Sequence, residues 1–178
     1  MKIRSSTLGF TLTELILVIV LLSILSLFAA SRFIGKSSFS AFALQEQVIS
    51  VIRQVQVNRM QSNIDVPQKD HPERCNPSEY SSGEDSSYTN FCLSVTPTCI
   101  GSTAACTLRD SSRSDFVEYD SANFSISNAT SPIEFTLLGN PLNSASSGVS
   151  ILIKSTNGGS SCEVDINSQG YVSKGSCL

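Results

Sequence analysis

The chain has 178 residues, a formal net charge of −3, six cysteines, one histidine and no tryptophan. That length holds one modest domain beside a separate N-terminal segment. With no CxxC pair and only His71, neither a thioredoxin-like redox site nor a Cys/His zinc site is expected, and six cysteines suit an oxidising, extracytoplasmic compartment.

Residues 1–9, MKIRSSTLG, form a short leader made basic by Lys2 and Arg4. Residues 10–30, FTLTELILVIVLLSILSLFAA, are apolar apart from threonines, serines and one charge, Glu14. As a helix this run is about 31 Å long, which matches a bilayer core of roughly 30 Å and predicts a transmembrane and assembly helix. A carboxylate in such a helix is costly and demands a partner, unless it snorkels to the membrane surface. A secretory signal places its small-residue cleavage site after the apolar core. Here Gly9 precedes it, so cleavage there would leave the apolar helix on the mature chain with the amine of Phe10 at its start.

Gly9-Phe10-Thr11-Leu12-Thr13-Glu14-Leu15 resembles the type IV prepilin motif shared by pilins and the pseudopilins of type II secretion. The resemblance implies leader cleavage after Gly9 by a prepilin peptidase, N-methylation of Phe10, and a role for Glu14 in recruiting the subunit into a filament. It implies as partners other pilin subunits, the inner membrane and the pilus assembly platform. It also implies an inner-membrane location with the N-terminus cytoplasmic and the remaining domain periplasmic, then in the pilus or pseudopilus. Thr13 departs from the usual aliphatic residue, and Ser31 stands where many major pilins carry a helix-kinking proline.

Residues 31–62 read as an amphipathic continuation of the helix. Leu44, Val48, Val51, Ile52 and Val55 recur at three- and four-residue spacing, while Gln45, Gln47, Arg53, Gln54 and Arg59 fall elsewhere. Gly35 is a weak point between the halves. Residues 63–178 form the expected extracytoplasmic, β-rich globular domain. Its first part, 63–90, is rich in proline, serine and charge and reads as a long loop. Then come FCLSVT (91–96), DFVEYD (115–120), NFSISN (123–128), IEFTLL (133–138), VSILIKS (149–155), CEVDIN (162–167) and GYVSK (170–174), short strands separated by turn residues. The fold class expected is α+β: one long N-terminal helix, part transmembrane and part amphipathic, packed on an antiparallel sheet. The C-terminal segments IEFTLLGNPL, VSILIKS and CEVDINSQGYV resemble the domain of H-type pseudopilins and related minor pilins. The stretch SRFIGKSSFSAFALQEQVISVIRQVQ is similar to a minor pilin of the mannose-sensitive haemagglutinin pilus.

Cysteines are expected to staple the sheet. Cys162 and Cys177 flank a candidate hairpin and are paired first, leaving Cys75–Cys92 and Cys99–Cys106; one longer-range pair is the alternative. Other motifs read blandly. Asp165 and Asn167 open a calcium-loop-like DINSQG, but the acid at its twelfth position is replaced by Ser176. Asn123-Phe-Ser and Asn128-Ala-Thr match glycosylation triplets by chance, and His71 sits in the polar loop with no nucleophile motif.

The function expected is therefore a minor type IV pilin that joins or primes a filament, with no cofactor, metal or catalytic role. An H-type pseudopilin of type II secretion is one alternative, and a pilus-borne adhesion subunit using the 63–90 loop is another. Nucleic-acid binding is not expected, because residues 63–178 carry six basic and thirteen acidic side chains.

Overall fold

A computed structural model describes residues 11–34, 36–62, 75, 86–156 and 159–178. The chain divides into two compact units, Met1–Lys36 and Ser37–Leu178. The first contains helix α1 (Leu12–Ile34), and helix α2 (Lys36–Gln61) starts at that unit's last residue and lies otherwise in the second.

The expected single N-terminal helix with a transmembrane half is not what the chain forms. The described helical stretch comprises α1, ending at Ile34, and α2, starting at Lys36, and the two compact units meet between Lys36 and Ser37. Among the described residues no helix is long and apolar enough to cross a membrane. Helix α2 carries Lys36, Glu46, Arg53 and Arg59 and buries its apolar stripe in protein.

The second unit is α+β with antiparallel sheets, as its alternating pattern implied, but there are two sheets rather than one. The first has the order β3-β2-β1-β5, from β1 (Cys92–Val95), β2 (Cys99–Ser102), β3 (Phe116–Glu118) and β5 (Ile133–Glu134). The second has the order β4-β6-β7-β8, from β4 (Ala122–Ser127), β6 (Val149–Ser155), β7 (Ser161–Ile166) and β8 (Val172–Cys177). A short helix α3 (Thr103–Leu108) follows β2, and a six-residue 3-10 turn (Ser86–Phe91) leads into β1.

Both sheets and α2 share one core. Leu44, Val48, Ile52 and Val55 of α2 meet a cluster that includes Leu93, Ile100 and Phe135 beside the first sheet and Phe124, Ile151 and Ile153 of the second. Strand β6 shows why the register holds. Val149, Ile151, Ile153 and Ser155 are buried and the residues between them are not, so a one-residue slip would turn the whole apolar set outward. Between β2 and β3 the backbones approach so closely that a Cβ on Gly101 would lie 2.4 Å from the Asp115 carbonyl.

The polar residues of α2 do not all face away from the core. Gln45 and Gln56 are buried and Arg59 is fully so. Each meets backbone groups that the strands leave unpaired. A register shift at β7–β8 accompanies the hydrogen bond from Gln45 Nε2 to the Glu163 carbonyl at 2.6 Å. Gln56 Nε2 donates to the carbonyls of Gly139 and Gly170 at 2.9 and 2.8 Å. Arg59 Nε donates to Phe135 O at 3.1 Å.

Candidate assembly site

Helix α1 starts at a threonine that accepts its first free amides. The Thr11 carbonyl accepts from Glu14 N and Leu15 N at 3.1 and 3.2 Å, and Thr11 Oγ1 accepts from Glu14 N at 3.3 Å. That is the role of an N-cap. Glu14 falls in the first turn, where the positive end of the helix dipole favours a carboxylate. Its side chain is exposed.

Beyond Glu14 the described surface of α1 is apolar on all sides. Every leucine, isoleucine and valine from Leu12 to Leu25 is at least 44% exposed. The two serines in this stretch add no unmet donor, because Ser23 Oγ and Ser26 Oγ donate to the carbonyls of Ile19 and Leu22, each at 2.7 Å. A helix apolar all round is stable only when something apolar covers it. Glu14 is the single charged group on the described face, so whatever covers the helix must also satisfy one carboxylate. Gly9 and Phe10, the residues expected to be cleaved and methylated, lie outside the described residues.

The six cysteines form three disulfides: Cys75–Cys92, Cys99–Cys106 and Cys162–Cys177, spanning 17, 7 and 15 residues. All three are local pairs. Cys162 and Cys177 face each other across β7 and β8, Cys99–Cys106 ties β2 to α3, and Cys75–Cys92 ties Cys75 to the start of β1. Closing loops of these sizes stabilises by about 2.5–3 kcal/mol each in the chain-entropy account.

A second polar constellation lies behind β2 and β3. Ser102 Oγ caps α3 by accepting from Ala105 N at 3.1 Å and donates to Asp115 Oδ2. Arg113 holds both oxygens of Asp115, with Nε to Oδ1 at 2.9 Å and Nη2 to Oδ2 at 2.6 Å, and Nη2 also reaches Asn90 Oδ1 at 2.7 Å. Burial pushes the Asp115 carboxyl up. The hydrogen bonds from Arg113 and Ser102, with the Arg113 charge, outweigh it, so the group stays below the usual aspartate range. The hydrogen bond to Asp115 raises Arg113 further. The Asp115 carboxylate, held by both Arg113 and Ser102, joins the segment before β3 to β2 and to Asn90. Sequence reading missed it because Asp115 was read only as the first residue of the expected strand 115–120, and local spacing does not show that Ser102 and Asn90 face it.

The remaining sequence candidates are occupied locally or not described. Asp165 Oδ1 accepts from Ser150 Oγ, while Asn167 Oδ1 accepts from the amides of Gln169 and Tyr171 at 3.0 and 2.9 Å. Asn167 therefore shapes the β7–β8 turn, while Asp165 links β7 to β6. Among the described residues no group of three or more His, Cys, Asp or Glu could hold a metal ion. His71 and most of the 63–90 loop lie outside the described residues. The chain matches no family model, no curated protein and no solved structure.

Proposed function

We propose that the chain is a type IV prepilin-family subunit, a minor pilin that is cleaved after Gly9, methylated on Phe10 and inserted into, or used to prime, a pilus filament. The observation that carries this reading is α1: an exposed, wholly apolar helix surface with one carboxylate, Glu14, in its first turn. Such a surface fits a bundle of like helices, and the lone carboxylate fits a cationic amine brought by a neighbour. Cleavage at Gly9 creates that amine on Phe10. The leader resemblance, the oxidised cysteines and the helix-on-sheet unit support the same reading. Before assembly, the subunit resides at the inner membrane with the disulfide-bonded unit on the periplasmic side. The prepilin peptidase and the assembly platform are its partners.

Within a helix bundle water is gone and an unpaired carboxylate is expensive. Pairing with the next subunit's Phe10 amine relieves that cost only when the two helices are correctly staggered, so the charge pair acts as a check of register. Glu14→Gln keeps the size and the hydrogen-bonding capacity but removes the charge. In a strain lacking the wild-type gene, this variant is expected to be cleaved at Gly9 and to accumulate normally, yet fail to co-purify with filaments. Glu14→Asp is expected to be intermediate. Assembly of Glu14→Gln at the wild-type level would overturn the pairing.

A further inference from the structure

The three disulfides join the cysteines in the order in which they occur: first to second, third to fourth, fifth to sixth. Six cysteines allow 15 complete pairings, and this is the one that uses sequence neighbours throughout. The loops it closes neither overlap nor nest.

Proximity along the chain does not select this pairing. Cys92 and Cys99 are seven residues apart, as close as Cys99 and Cys106 and closer than Cys75 and Cys92, which are 17 apart. Loop closure falls off as about the three-halves power of loop length, so in a free chain Cys92 meets Cys99 roughly four times as often as it meets Cys75. The folded unit cannot hold that competing pair. Leu93 lies opposite Ser102 and Val95 opposite Ile100, and Thr96 N donates to Cys99 O at 2.8 Å. Cys99 is therefore across from a residue four positions beyond Cys92, roughly 13 Å along the hairpin at ~3.3 Å per residue. A disulfide spans Cα atoms up to about 7 Å apart, so a Cys92–Cys99 bond would block the β1–β2 register. Nor can pairing wait for the fold. Cys92, Cys99 and Cys162, one from each bridge, are fully buried, and an oxidant reaches them only before the core closes.

We infer that order of arrival sets the pairing: a dithiol oxidase of the oxidising compartment joins each second cysteine to the one before it as the chain emerges, and no disulfide isomerase takes part. In each round a thiolate of the chain attacks the oxidase disulfide, and one oxidase sulfur leaves as thiolate. The next cysteine's thiolate attacks the chain sulfur of that mixed disulfide and releases the second oxidase sulfur. Two chain thiols become a disulfide while the oxidase disulfide becomes a dithiol, so electrons and protons balance. Cys75 and Cys92 are joined before Cys99 arrives, which removes the competitor that proximity favours. At about 5–20 residues per second the seven residues from Cys92 to Cys99 take of order 1 s to emerge, and the first closure has that time. Cys99 then takes Cys106, because Cys162 is 56 residues further on. The inference rests on the proposed function only for direction, with α2 arriving first and Leu178 last. It does not depend on cleavage at Gly9 or on Glu14.

The test maps disulfides in the full-length chain, made in cells that retain the dithiol oxidase but lack the disulfide isomerase. Mass spectrometry of unreduced peptides is expected to find the three native pairs at the level seen when the isomerase is present. Non-native pairs in a tenth or more of the chains would overturn the inference. Cys75→Ser leaves Cys92 with no earlier partner. In the same cells it is expected to yield mainly Cys92–Cys99, with Cys106 as a free thiol. A Cys75→Ser chain that keeps Cys99–Cys106 and leaves Cys92 free would show that the fold selects the pairs, and the inference fails. This readout is covalent and needs no folded product. The purified chain, reduced and unfolded in urea, presents all six cysteines at once. Oxidised by the dithiol oxidase alone, it is expected to form about four times as much Cys92–Cys99 as Cys75–Cys92 among its first products, and native pairs at once would count against arrival order. Glu14→Gln chains are expected to carry the same three pairs in cells, so this inference and the filament reading fail separately.

Discussion

Single residues in this chain do work that their type alone does not announce. Gln45, Ile49, Ile52, Gln56 and Arg59 follow one another at three- and four-residue steps, so all five share the buried side of α2. Gln45 and Arg59 were expected to fall outside the apolar stripe, as glutamine and arginine mostly do, and Gln56 was not singled out. The spacing was the signal that could have placed them, and the carbonyls they meet explain how burial is tolerated. Asp115 is a comparable case with a pH signature. Its folded carboxyl titrates below the unfolded value, so the unfolded chain binds the proton more readily. The stability it contributes is complete above the ordinary aspartate range, near 4, and is lost as pH falls through the lower, folded value. Urea midpoints for the wild type and Asp115→Asn should therefore differ most at neutral pH and converge as pH falls below the folded value. A gap that stays constant down to acid pH would show that the carboxylate's charge is not what stabilises the segment.

Elements were legible where burial alternates and opaque where it does not. Strand β6 announced itself through Val149, Ile151 and Ile153, each buried between less buried neighbours. Strand β2, Cys-Ile-Gly-Ser, is buried at all four positions and shows no period of two, so nothing in its sequence separates it from a loop. Helix α3 is only six residues long and owes its place to the Ser102 cap and the Cys99–Cys106 bridge. The expected strand at 133–138 stops at Glu134, because Gly139 has positive φ and the chain turns back through a bridge between Phe135 and Pro141. Strand β8 is a sheet edge held from one side by β7 and, through Gln45 and Arg53, by α2. Its bridge from Cys162 to Cys177 is thus the one whose loss should be felt along the whole hairpin. The double change Cys162→Ser, Cys177→Ser is expected to lower unfolding free energy by about 3 kcal/mol, with hydrogen exchange accelerated first in β8. Equal acceleration in the first sheet would show that the bridge does not act locally.

At the scale of the molecule, the chain joins two materials with different demands. The unit from Ser37 to Leu178 satisfies itself: two antiparallel sheets and α2 share a core, and three disulfides close its loops. Among its described residues, helix α1 satisfies its backbone and the hydroxyls of Ser23 and Ser26, and leaves its apolar surface and Glu14 exposed. The α+β class was readable in the order of periods, helical and then alternating. The division into two sheets was not, because strand order depends on long-range contacts that a local pattern does not encode. The reading of residues 10–30 as a membrane-crossing helix rested on apolar length alone, and among the described residues no helix is long and apolar enough to cross a membrane. The proposed role does not depend on that reading. It depends on the apolar helix being freed of its leader, so that a Phe10 amine exists to meet Glu14. Mass spectrometry of the mature N-terminus, on protein purified from its own cells, tests this most directly. The account predicts a chain that begins at Phe10 and carries one N-methyl group. A chain that still begins at Met1, or one cut beyond residue 30 with α1 removed, would contradict it.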